Sequence, residues 1–251
     1  VFFASSKRDS FCKNNYYYHT MKKIIFLALV TLFVSCKKEE GNLVLSGEIK
    51  GLSQGKLYIQ KFEDSLLKPL KIIKFDGKSD FKTYLNIEEP EVLYLYLDRG
   101  TTNSLDDKIL FFADKGKMTI TSDVNNFISK VQISGNENQE LWNQYKEVMR
   151  KMNNKNLEYI EQQLQAAKEG KTAIADSLRR MQESVFRRKY QYTVQFCMSH
   201  PDKELTPYLA LTEIHDANKV YLDSIYNSLS DRVKVSKYGK IFGEYIKEQK
   251  Q

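Results

Sequence analysis

The chain is poor in the residues that most often do chemistry. Its three cysteines, Cys12, Cys36 and Cys197, stand at no spacing that frames a zinc site or a disulfide pair, and no Cys-x-x-Cys occurs. Of its three histidines only His200 and His215 lie beyond Cys36. A Gly-x-Ser-x-Gly elbow and a phosphate-cradling glycine loop are both missing, which removes two common hydrolase and nucleotide-binding signatures. A bilayer-length apolar run is also missing. The stretch from Ile24 to Val34 would rise about 16 Å as a helix, against a hydrocarbon core of about 30 Å. Excess charge is mostly confined to the N-terminal end. Residues 1–35 hold five of the 39 basic residues and one of the 32 acidic ones, so the remainder holds 34 and 31, a net charge of +3. A chain so balanced has no electrostatic footprint for nucleic acid.

What is present begins with Met21, the basic pair Lys22-Lys23, the short apolar run and Cys36. A basic region, a short apolar region and a small residue before a cleavage point make a secretory signal peptide. Leu32-Phe33-Val34-Ser35-Cys36 resembles the lipobox of bacterial lipoproteins, with Cys36 as the first mature residue. The resemblance implies a diacylglycerol thioether on Cys36 and a lipid-anchored envelope protein, in the outer membrane and facing either the periplasm or the exterior. Several acyl chains together anchor far more firmly than one. The tract Cys36-Lys37-Lys38-Glu39-Glu40 is also similar to the surface-export signal of Bacteroidetes-type lipoproteins. Residues 1–20 have no apolar period and no heading Met, and are expected to be an upstream misread of the frame. The expected layout is therefore 1–20 extension, 21–35 signal peptide, 36–42 lipidated tether, 43–135 β-sandwich and 136–251 helical region.

About 215 residues follow the expected cleavage point, enough for one large or two small domains. From Leu43 to Ser134 the sequence reads as short strands: apolar residues alternate in Leu43–Ile49 and Leu57–Ile59, and further runs are Leu70–Phe75, Phe81–Ile87, Val92–Leu97, Ile109–Ala113, Lys117–Ser122 and Lys130–Ser134. Turn signals at Ser53-Gln54-Gly55, Asp76-Gly77-Lys78, Pro90 and Asp114-Lys115-Gly116 separate them. This spacing predicts an antiparallel sandwich or open barrel. After Gly135 the period changes to three and four. Asn136 followed by Gln139 predicts a helix start. One stripe runs through Leu141, Tyr145, Val148/Met149, Met152, Ile160 and Leu164, and a second through Ile174, Leu178, Met181, Val185, Tyr192 and Phe196. With Gly170 between them they predict a helical hairpin, ended at His200-Pro201-Asp202. Shorter helices are expected at Leu205–Ile214, Asn218–Leu229 and Asp231–Lys247, completing an α+β fold class.

Five segments carry a family resemblance. Leu45–Ile59 (LSGEIKGLSQGKLYI), Ile109–Ile120 (ILFFADKGKMTI) and Val131–Tyr145 (VQISGNENQELWNQY) resemble the domain of unknown function that precedes the thioredoxin domain in Bacteroidetes-type thiol-disulfide oxidoreductase lipoproteins. Ser199–Ile214 (SHPDKELTPYLALTEI) and Val235–Lys247 (VSKYGKIFGEYIK) are similar to the helical segment that bridges the two domains. The resemblance implies a part in thiol-disulfide exchange, but the thioredoxin domain itself is not within these 251 residues. A stand-alone module, an accessory to a thioredoxin-fold partner and the front part of an oxidoreductase are all compatible with that.

Thiol redox needs an attacking thiolate and a resolving partner. Cys197 is the only thiol left once Cys36 is lipidated, and on an apolar stripe it is expected to be a small buried hydrophobe. Cys197 and His200 would share a helix face, but two ligands do not close a zinc site. The basic run Arg179–Lys189 is expected to be a solvated helix face. Glu88-Glu89 and Asp106-Asp107 fall in loop-like sequence. No catalytic, cofactor or metal residue is assigned, and the only site residue expected is Cys36. The partners expected are the membrane, through the anchor, and an envelope protein or ligand.

Overall fold

A computed structural model describes residues 40–63, 65–98 and 108–249, which lie in one compact unit, Glu40–Gln251. Eight strands come first: β1 (Leu43–Lys50), β2 (Gln54–Glu63), β3 (Leu66–Asp76), β4 (Asp80–Leu85), β5 (Glu91–Asp98), β6 (Lys108–Ala113), β7 (Gly116–Asp123) and β8 (Gln132–Ser134). They form two four-stranded sheets, in the orders β4-β1-β7-β8 and β3-β2-β5-β6. Leu43, Leu45, Ile49, Leu57, Ile59, Leu93, Leu95, Leu97, Phe111 and Ile120 fill the space between them, all fully buried. The expected α+β class holds, as a sandwich and not as a closed barrel.

Pairing is antiparallel except between β1 and β7, which run parallel. Parallel neighbours need a long crossover. Here β2 to β6 supply it, so the whole second sheet, together with β4 of the first, lies in sequence between the adjacent strands β1 and β7. Gly47 on β1 is needed at this seam. A Cβ there would lie 1.7 Å from the Ile120 carbonyl oxygen and 3.0 Å from the Phe81 ring. Pro69 and the lysines of β3 fit its position at a sheet edge, where a missing N–H is tolerated and charge discourages further pairing.

The unbroken apolar run on β6 has a clear cause. Ile109, Phe111 and Ala113 face the sandwich core, whereas Leu110 and Phe112 face a second core made with the helices. A strand covered on both faces loses the polar alternation of a half-exposed one.

The helices are α1 (Glu137–Lys168), α2 (Thr172–Ser199), α3 (Leu205–Glu213), α4 (Lys219–Ser228), α5 (Asp231–Lys234) and α6 (Lys237–Glu248). Asn136 caps α1 as its sequence position predicts, accepting from the Gln139 N–H at 2.8 Å. The helix expected over 231–247 is two helices. Ser236 ends the first by donating its hydroxyl to the Val233 carbonyl at 2.7 Å and caps the second at the Gly239 N–H. A serine side chain competing for backbone groups is the usual way a helix is interrupted.

The hairpin of α1 and α2 divides into two parts. Its base contributes Trp142, Tyr145, Met149, Phe196 and Cys197 to the second core. Beyond Met149 and before Tyr190, none of its residues belongs to either core. About 28 Å of α1 packs on α2 there. In this arm Leu164, Ile174 and Met181 are exposed, although the apolar stripes place them inside. Two helices present only one mutual seam, here Ala166, Leu178 and Val185, so a second apolar stripe has nothing to pack on.

Candidate functional site

The sandwich has an open side where β6 ends one sheet and β8 ends the other, and the first turns of α1 close part of it. The closure is made by three side-chain amides. Phe112 of β6 points its main-chain N–H and C=O away from β5, to the free edge. The N–H donates to Gln139 Oε1 at 2.7 Å and the C=O accepts from Asn136 Nδ2 at 2.7 Å. Gln139 in turn donates to Asn143 Oδ1, and Asn143 donates to the Ile133 carbonyl of β8, each at 2.7 Å. Amide side chains thus replace the neighbouring strand that each edge lacks. Gly135 lets the chain enter at φ +136, where a Cβ would meet the Lys117 carbonyl oxygen at 2.2 Å. Phe112 then seats against Trp142, Tyr208 and Tyr238, with ring centroids 6.0 to 6.3 Å apart.

A second clamp lies at the start of β5. The Val92 N–H donates to the Tyr238 hydroxyl at 2.8 Å, the Lys237 ammonium pairs with Glu91, and the Lys237 N–H donates to Glu89 at 2.6 Å. Glu89 therefore sits at the N-terminus of α6, where a carboxylate is favoured by the helix dipole. A third clamp is the buried Glu204, which accepts from Asn138 Nδ2 at 3.0 Å and pairs with Arg232. The acidic and basic groups in the cleft between β5, α3 and α5 are in large part engaged in these clamps.

One step along the same open side the closure stops, and a cavity of about 650 Å³ begins. Its walls are Leu110 on β6, Ile128 and Val131 before β8, Ile133 on β8, and Trp142 with Lys146 on α1. Lys108 and Arg150 stand at its rim. Arg150 is held by Glu147 through two nitrogens, at 2.9 to 3.0 Å. Lys146 lies over the Trp142 ring at 4.3 Å, and Lys108 over Tyr96 at 5.8 Å. Neither lysine has a described carboxylate within ion-pair distance. Desolvation against the wall lowers the Lys146 pKa, although the residue is exposed overall.

Cys36 lies outside the described residues, as do Asp106 and Asp107. Cys197 is fully buried, and desolvation pushes its thiol up to about 12. Its sulfur faces the Thr206 carbonyl at 3.7 Å, whereas His200 Nδ1 meets the Phe196 carbonyl at 2.8 Å. The shared helix face therefore brings the two to no common ligand. Among the described residues no group of three or more His, Cys, Asp or Glu could hold a metal ion. The run Arg179–Lys189 is largely a solvated face, with Val185 turned inward. Sequence reasoning did not reach the cavity. Its lining comes from three separated segments, and only the Asn136–Gln139 spacing hinted at the closure beside it.

No curated protein and no solved structure matches the chain. Residues 43–142, from the first residue of β1 to the tryptophan in the cavity wall, match the family model described as Domain of unknown function (DUF4369), in agreement with the resemblance read from the sequence, and no thioredoxin domain is detected.

Proposed function

We propose that the chain is a non-enzymatic lipoprotein of the cell envelope, anchored through Cys36 in the outer membrane, whose body from β1 onward is a binding or accessory module. One observation carries this reading. Most ionisable groups in the cleft between β5, α3 and α5 are engaged in clamps, whereas Lys108 and Lys146 stand without a described counter-charge on an open cavity. Clefts of this size with apolar walls and a few directed polar groups are the usual form of a binding site. The anchor rests on the run Ile24–Val34 and Ser35-Cys36. No described helix is long and apolar enough to cross a membrane.

Globomycin, which blocks lipoprotein signal peptidase, should leave a larger precursor in cells. Cys36→Ala should move the protein out of the membrane fraction. An unchanged size under globomycin, or a Cys36→Ala protein still sedimenting with membranes, would remove the anchor from the account.

A further inference from the structure

The unclosed stretch of β6 names a ligand class. Hydrogen-bonding direction alternates along a strand, so residues two apart point their N–H and C=O to the same side. Phe112 directs both groups to the free edge, where Gln139 and Asn136 meet them. Leu110 directs the same two groups to the same edge. β6 is the last strand of its sheet, and among the described residues no further strand pairs with it there. A donor and an acceptor in strand register therefore open into the cavity, beside the two lysines.

We propose that this cavity takes an extended acidic peptide segment, which adds to the β6 edge at Leu110 and sets a carboxylate against Lys146 and Lys108. The proposal rests on the reading of the body as a binding module and gives that module its ligand. Three features select the occupant. A peptide group offers the paired donor and acceptor that an unpaired strand edge requires, as in other cases of strand addition. A fatty-acid carboxylate offers only acceptors, and a phosphate cannot place its donor and acceptor in strand register. The apolar wall of Leu110, Ile128, Val131 and Trp142 suits the alternate side chains of a strand, of which every second one faces the same way. Among the described residues no carboxylate pairs with Lys146 or Lys108, which leaves both to meet an incoming one. Charge-assisted contacts of this kind are the stronger ones.

Trp142 is the only tryptophan in the chain and lines the cavity, so its emission reports occupancy. The test uses the mature chain from residue 36 with Cys36→Ser, in buffer without detergent or membranes. Failure of anchoring in cells therefore leaves this result untouched, and failure here leaves the anchor untouched. The probe is the peptide acetyl-Glu-Val-Thr-Val-Glu-amide, which contains no fluorophore. A saturable change in Trp142 emission is expected. Lys146→Ala should weaken binding about tenfold, and Lys108→Ala with Lys146→Ala should weaken it further. Arg180→Ala, on the exposed face of α2, should leave it unchanged. The same peptide with every backbone amide N-methylated, and a version with lysine in place of both glutamates, should not bind.

Several results would overturn the proposal. They are no saturable change up to millimolar peptide, equal binding of the N-methylated or lysine peptide, and unchanged affinity in the double lysine variant with native circular dichroism. Saturable binding of dodecanoate without binding of the peptide would likewise assign the cavity to amphiphiles instead.

Discussion

Phe112 and Leu110 sit two residues apart on one strand, face the same helical layer and point their backbones to the same edge. One is closed and the other is open. At Phe112 two side-chain amides, Gln139 and Asn136 at the start of α1, stand in for a strand, and three aromatic rings close over the side chain. At Leu110 the helix has moved on, and the edge faces a cavity lined by lysines. The difference separates what holds this molecule together from what it has left for a partner. Polar groups at the closed stretch are needed internally, so changing them should cost stability. Those at the open stretch are not, so changing them should cost binding alone.

The sharpest break would come from Phe112→Ala. The lost transfer energy and the cavity left behind should together cost about 3–5 kcal/mol, read from urea denaturation followed by circular dichroism. Asn136→Ala comes next. It removes the cap of α1 and leaves the Phe112 carbonyl buried without a partner, for about 2 kcal/mol. Lys146→Ala, on the open stretch, should change stability by less than about 0.5 kcal/mol, as surface substitutions do. A loss as large as that of Asn136→Ala would show that the lysine is structural and erase the contrast.

The buried thiol allows a test by pH. The folded state raises the Cys197 pKa to about 12, from about 8.5 in an unfolded chain. Burial of the neutral thiol therefore contributes fully below about pH 8.5. Above that the unfolded chain releases a proton that the folded one keeps, and stability falls by up to about 1.4 kcal/mol per pH unit. Between pH 8.5 and 10 the slope should be present in the wild type and reduced in Cys197→Ala. For the same reason the purified protein should not reduce insulin disulfides with dithiothreitol above background. Turnover in the wild type that is lost in Cys197→Ser would make Cys197 a site. The smallest effect belongs to the arm, where Leu164→Gln should change the urea midpoint by no more than about 0.5 kcal/mol equivalent.

Much of this architecture was legible from local pattern. Short apolar runs between turn signals located the strands, and Asn136 with Gln139 marked the start of α1; that Ile109–Ala113 is covered on both faces emerged only from the packing. What stayed hidden depends on distant chain. The parallel pairing of β1 with β7 follows from where the second sheet is inserted, which no window of sequence records. Leu164, Ile174 and Met181 fit helical stripes but are exposed, because periodicity says which residues share a face and not whether anything covers it. The second role of Asn136, as donor to the Phe112 carbonyl, uses the same side chain that caps the helix. A spacing rule finds the cap alone. The open edge at Leu110 is a property of backbone direction and of a helix ending its coverage, neither of which is written in residue type. Cys36, the one site residue expected from sequence, belongs to a segment whose chemistry is read in cells.

The contrast between closed and open edge is tested most directly by amide hydrogen exchange of the unliganded protein, resolved residue by residue by NMR. The Phe112 amide, bonded to Gln139 inside the fold, should exchange only through global unfolding. The Leu110 amide should exchange orders of magnitude faster, and should become protected when the acidic peptide is added. Equal protection of the two amides without any ligand would mean that the edge at Leu110 is already covered, and the account of an open strand edge awaiting a partner would be wrong.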